Sequence, residues 1–215
     1  MNAILSATIP LPAILDRPSR NGPGRRHRID DFELSTAAVD RFNDLLTRLG
    51  RRTAPLDCDR IATAARELRD GAANDDAPLC IRQRIQRLEA AARMIGEAGW
   101  EPADEAGNAA AVVVRYARSS HHVLPPTLPK VGRLDEAIVV DAAWPALAAE
   151  VANFLDFCRL REIEAELRGC GANAFTFTRA NWEQARRAEA ILAVQRRCIR
   201  EGSYLPALTP RFVVH

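Results

Sequence analysis

The chain has 215 residues, 47% of them hydrophobic and 27% charged, a balance that suits one ordinary domain or two small ones with a water-facing surface. Thirty basic residues, all arginine except Lys130, stand against 28 acidic ones, so the net charge is only +2 and a strongly polybasic protein is excluded. The longest stretch without Asp, Glu, Lys or Arg, Met1 to Leu15, is shorter than the roughly 18 apolar residues of a membrane span and is broken by Pro10 and Pro12.

Residues 1–34 read as a disordered arm, because turn formers alternate with charge from Arg17 to Arg28 and leave no apolar face. Helical spacing begins at Ser35. Ser35 or Thr36 caps a helix in which Val39, Phe42, Leu45, Leu46 and Leu49 recur before Gly50. Asp57 caps a second helix, with Ile61, Ala65 and Leu68 as its stripe and Gly71 as its stop. A third starts near Pro78 and carries Ile81, Ile85, Leu88, Ala92 and Ile95. Residues 35–100 thus form an N-terminal helical subdomain, and Trp100-Glu101-Pro102 links it to a second helical domain over 101–215.

In that second part, Ala109-Ala110-Ala111 and Tyr116 favour helix over strand for 107–120, despite Val112-Val113-Val114. A proline-rich turn spans 121–133, and a long helix follows from Asp135 to about Leu167, with Pro145 expected at a break or a new first turn. After the Gly169-Cys170-Gly171 hinge, Phe175 to Thr178 reads as a short extended piece, and Thr178 caps a final helix over 179–201. Residues 101–175 carry a net charge of −4 and residues 176–215 one of +4, so the last helix is expected to dock on the acidic middle region.

Cys58, Cys80, Cys158, Cys170 and Cys198 are odd in number and scattered, with no CxxC or CxxH spacing. A disulfide framework and a zinc ribbon are therefore not expected; small apolar residues on helix faces are. The N-terminus lacks a basic n-region and a small-x-small cleavage site, which points to the cytoplasm.

The segment Tyr116-Ala117-Arg118-Ser119-Ser120-His121-His122-Val123-Leu124-Pro125-Pro126-Thr127-Leu128-Pro129-Lys130-Val131-Gly132-Arg133-Leu134-Asp135-Glu136 is the most specific in the chain. It resembles the signature of the YkvA-like family, a small bacterial domain of unknown function. That signature runs Tyr, two residues, Ser-Pro-x-Asp-Leu-Ile-Pro-Asp, then x-x-Pro-x-x-Gly-x-x-Asp-Asp before an apolar helix. Tyr116, Ser119, Pro125, Pro129, Gly132 and Asp135 stand in register, and Glu136 replaces the last Asp. Ser120 replaces a Pro, and His122 and Pro126 replace the two earlier Asp residues. The resemblance covers about residues 105–165. It implies a helical core and, since many members of the family are assigned to membranes for their strongly apolar helix, a place at the inner membrane. Asp141, Glu150 and Asp156 interrupt the apolar helix, so no transmembrane helix is expected. The same residues also make physical sense as a stiff corner: the prolines exclude helix, Gly132 allows a close approach, and Asp135 and Glu136 suit a first helical turn.

His121 and His122 are adjacent, and in an extended segment they face opposite sides, unlike the i, i+4 pair of a zinc-binding helix. No GxSxG, HExxH, Walker or GxGxxG motif is present. On the last helix Arg186, Arg197 and Arg200 cluster opposite Ile191, Leu192, Val194, Cys198 and Ile199, a face suited to phosphate, lipid headgroups or a protein partner. The expected fold is thus an all-α multi-helix bundle with a proline-rich corner between two core helices. The expected function is that of a non-enzymatic accessory or interaction protein, peripheral to the inner membrane. No catalytic residue, metal ligand or cofactor is assigned. Nucleic-acid binding through Arg186, Arg197 and Arg200 is the alternative, and a metal-dependent hydrolase using Asp135 and Glu136 the weaker one.

Overall fold

The computed structural model describes residues 3–5, 7–17, 27–72 and 76–202. Within them the protein is an all-α multi-helix bundle with six α-helices: α1 (Thr36–Arg48), α2 (Cys58–Gly71), α3 (Leu79–Gly96), α4 (Asp104–Arg118), α5 (Leu134–Leu167) and α6 (Arg179–Gly202). The only sheet among the described residues pairs β1 (Arg28–Ile29) with β2 (Phe32–Glu33), Ile29 opposite Phe32. Backbone contacts divide the chain into two compact units, residues 1–156 and 157–215.

The helix starts follow their capping chemistry. Ser35 accepts from the Ala38 amide, and Asp57 Oδ1 accepts from the Arg60 amide at 2.8 Å. Gly50 follows α1 at φ +86°, a conformation that suits glycine. Val39, Phe42 and Leu46 are buried on α1, and Ile61 and Ala65 on α2. On α3 the stripe ends differently from expectation. Ala91 and Met94 are buried while Ile95 is exposed, because a straight helix advances about 3.6 residues per turn and the buried line drifts.

Helices α3 and α4 pack together inside the first unit. That packing extends to α5. Arg84 of α3 is 3% exposed and pairs with Asp141 at 2.8 Å, and the Arg87 guanidinium lies 4.1 Å over the Trp144 ring. Every side chain from Leu134 to Val140 is buried. Among the described residues α5 is the one helix long and apolar enough to cross a membrane. Its first half serves as core of the first unit, with Asp141 on Arg84 and Glu150 taking the Ala103 amide. Pro145 lies inside this helix rather than at a break, and the carbonyl of Asp141 accordingly lacks its usual amide donor.

The arm expected to be disordered is structured where it is described. Leu15, Ile29 and Leu34 are buried. Arginines of the helices and of the α1–α2 connection hold its carbonyls: Arg51 donates to Leu15, Arg60 to Arg17, Arg66 to Arg28, Arg84 to Ile9 and Arg87 to Ile4. Residues 18–26, the centre of the turn-rich stretch, lie outside the described residues.

In the second unit the core is small and aromatic. Phe177 stacks on Phe157 at 5.4 Å and on Phe175 at 5.8 Å, while Arg161 and Arg168 cover Phe157 and Phe175. Thr178 and Asn181 cap α6 reciprocally: Thr178 Oγ1 accepts from the Asn181 amide, and Asn181 Oδ1 accepts from the Thr178 amide.

Candidate functional site

The signature segment forms a corner between α4 and α5, centred on Asp135. This carboxylate is 1% exposed. Its Oδ2 accepts from the Tyr116 hydroxyl at 2.6 Å, from the Val123 amide at 3.0 Å and from the Leu124 amide at 3.4 Å. His122 Nδ1 lies 3.6 Å from the same oxygen, with its ring edge-on to Tyr116. Asp135 Oδ1 and His122 Nδ1 are buried without a hydrogen bond among the described residues. Burial drives the Asp135 carboxyl above its ordinary value, with the Tyr116 bond, the Leu124 amide and His122 opposing. Burial likewise pushes the Tyr116 phenol up, reinforced by the adjacent Asp135 charge.

The other signature residues shape this corner. A Cβ on Gly132 would stand 2.7 Å from the carbonyl oxygens of both Pro125 and Pro126 and 2.9 Å from that of Leu128, so only glycine fits. The Pro125 carbonyl receives the Leu128 amide, and the Pro129 carbonyl receives the Val131 amide at 2.7 Å. Ser119 Oγ accepts from the His121 amide at 3.2 Å. Glu136 is buried and engaged by Arg133 through Nε at 2.8 Å and Nη2 at 2.6 Å. Asp135 and Glu136 therefore both spend oxygens on internal donors. Among the described residues no group of three or more His, Cys, Asp or Glu is arranged to hold a metal ion.

The two histidines part as their adjacency dictates. His122 turns in towards Asp135, and His121 lines a cleft of about 270 Å³ between α1 and α4. Ala38, Arg41, Phe42, Leu45 and Arg48 supply one wall at helical spacing, and Val112, Arg115, Tyr116 and Ser119 the other. Phe42 and Tyr116 meet at 5.6 Å beneath it. Arg41, Arg48 and Arg115 are exposed, and among the described residues no acidic residue lines the cleft. Sequence reading missed this site, because its basic groups stand on helices about 70 residues apart.

Every side chain from Arg187 to Arg200 is exposed. Along α6, Arg179 and Arg187 pair with Glu183, and Arg186 pairs with Glu189. Ile191, Leu192, Val194 and Ile199 are 58%, 50%, 60% and 70% exposed. Arg197 and Arg200 are also exposed. Of the five cysteines, Cys58, Cys80 and Cys158 are buried and Cys170 and Cys198 exposed, and none forms a disulfide. Comparison with protein-family models, curated proteins and solved structures finds no match to this chain.

Proposed function

We propose that the chain is a non-enzymatic interaction protein that associates peripherally with an anionic membrane surface through α6. The observation that carries this reading is the joint exposure of Ile191, Leu192, Val194 and Ile199 on the side of the helix opposite Arg186, Arg197 and Arg200. An exposed aliphatic face of this kind marks an interaction surface. An amphipathic helix with arginines on its polar side buries its apolar side at the boundary of headgroups and acyl chains, and anionic lipid strengthens the attraction. The membership of the YkvA-like family, the cytoplasmic setting and the inner membrane as the surface are proposed together with it. Support for the family comes from Tyr116, Gly132 and Asp135, each with a demanding structural task in the corner.

Co-sedimentation with vesicles of phosphatidylcholine, with and without phosphatidylglycerol, tests the reading. Binding is expected only to the anionic vesicles and is expected to vanish in the double variant Ile191→Glu/Ile199→Glu. Equal sedimentation of that variant, or none by the parent protein, overturns it. A second reading, nucleic-acid binding, is favoured by the exposure of Arg197 and Arg200. It requires duplex affinity that falls steeply with salt and weakens when Arg197 and Arg200 are neutralised.

A further inference from the structure

We propose that the cleft between α1 and α4 binds a small soluble organic anion, with a phosphate or carboxylate held by Arg41, Arg48 and Arg115 and an apolar body resting on Leu45, Val112 and Tyr116. This goes beyond the membrane reading and uses a different unit of the chain. Three observations combine.

The first is charge. The cleft is lined by three arginines and His121, and among the described residues its lining includes no acidic residue. Arg51 and Arg84, by contrast, engage carboxylates and backbone carbonyls, and Arg60 and Arg66 also donate to carbonyls. The guanidinium groups of Arg41, Arg48 and Arg115 have no hydrogen bond or ion pair among the described residues. Their guanidinium forks match the planar, bidentate geometry of carboxylate and phosphate oxygens.

The second is placement. Arg41 and Arg48 are two helical turns apart on α1, about 10 Å along its axis, and Arg115 faces them from the α4 wall. The cleft is therefore flanked by cations on both sides, while its interior carries Leu45, Val112, Phe42 and Tyr116. An anion with no apolar body would leave that interior unfilled. A neutral apolar molecule would leave the arginines unused.

The third is size. At about 270 Å³ the cleft lies just under the roughly 300–1,000 Å³ of pockets for drug-sized ligands, which sets a compact ligand of the size of a monocyclic phosphate.

Phenyl phosphate is the probe, with inorganic phosphate and phenol as its two halves. In calorimetric titration of the full chain, phenyl phosphate is expected to bind at least tenfold more tightly than either half. The double variant Arg41→Gln/Arg115→Gln is expected to lose at least tenfold in that affinity with its helical circular dichroism unchanged. Arg186→Gln/Arg197→Gln, on α6, is expected to bind the probe as the parent does. Amide resonances of residues 38–48 and 112–121 should shift on titration. Equal affinity for the three compounds, or an affinity indifferent to Arg41→Gln/Arg115→Gln, overturns the proposal. The same anionic group occurs as a lipid headgroup, and competition with phosphatidate vesicles separates the two sources. Displacement of phenyl phosphate from the cleft by the vesicles overturns a soluble ligand; none is expected. Failure here leaves vesicle binding by α6 untouched, and the reverse holds too.

Discussion

The Tyr116 hydroxyl donates to Oδ2 of Asp135 at 2.6 Å, tying the end of α4 to the first turn of α5 across the proline corner. The same oxygen collects the Val123 and Leu124 amides, so one carboxylate fixes the phenol and two consecutive backbone donors. Removing the phenol oxygen takes away one of these donors inside a buried site. Tyr116→Phe is expected to destabilise the fold by about 1–2 kcal/mol. Urea titration should show a lower midpoint with an unchanged slope.

Asp135 also sets a pH dependence. Its folded-state value lies above the ordinary 3.8, chiefly through burial. Over the window between those values the folded protein binds the proton and the unfolded chain does not. The stability this group contributes is therefore complete below the window and is lost as pH rises through it. Asp135→Asn removes the titration while keeping the shape. The stability of the parent relative to this variant is expected to fall as pH rises above about 4, the ordinary carboxyl value. A difference that stays flat would sink this assignment.

Gly132 and Gly71 make a matched pair. Gly132→Ala drives a methyl to 2.7 Å from two carbonyl oxygens, whereas a Cβ on Gly71 meets nothing within 4 Å. Backbone oxygens cannot swing aside, so Gly132→Ala is expected to cost about 3 kcal/mol or more. Gly71→Ala, at the end of α2, is expected to be neutral or stabilising by about 0.5–1 kcal/mol. Thermal unfolding of the two variants side by side checks the contrast.

Arg84 is the clasp of the N-terminal segment. Its guanidinium meets Asp141 Oδ1 at 2.9 Å and the carbonyls of Ile9 and Cys80 at 2.9 and 3.0 Å. Asp141 is 41% exposed, so water rescues it when the partner is lost, and Arg84→Ala is expected to cost about 2 kcal/mol rather than more. Limited proteolysis should then cut residues 7–17 faster than in the parent protein.

Much of this architecture is legible in the sequence because it depends on neighbours a few residues away. Ser35 and Asp57 as caps, the α1 and α2 stripes, the helical reading of Val112-Val113-Val114 and the corner before α5 all rest on local spacing. What escapes such reading depends on partners far along the chain. The first 34 residues have no amphipathic pattern, yet Leu15 and Ile29 are buried because Arg51, Arg66 and Arg84 bond the carbonyls around them. The α1–α4 cleft is invisible for the same reason, since Arg41 and Arg115 become neighbours of one cavity only once Phe42 meets Tyr116. Along α6, Arg186 pairs with Glu189 and Arg187 with Glu183, while Ile191 and Ile199 are exposed. Net charge over a segment is blind to such i, i+3 and i, i+4 pairs.

The role of α6 is tested most directly by amide hydrogen exchange on the full chain, followed with and without vesicles containing phosphatidylglycerol. Protection is expected to rise across residues 187–200 when anionic vesicles are present and to stay unchanged with phosphatidylcholine alone. Exchange over 187–200 that is identical in all three conditions would contradict membrane association through this helix.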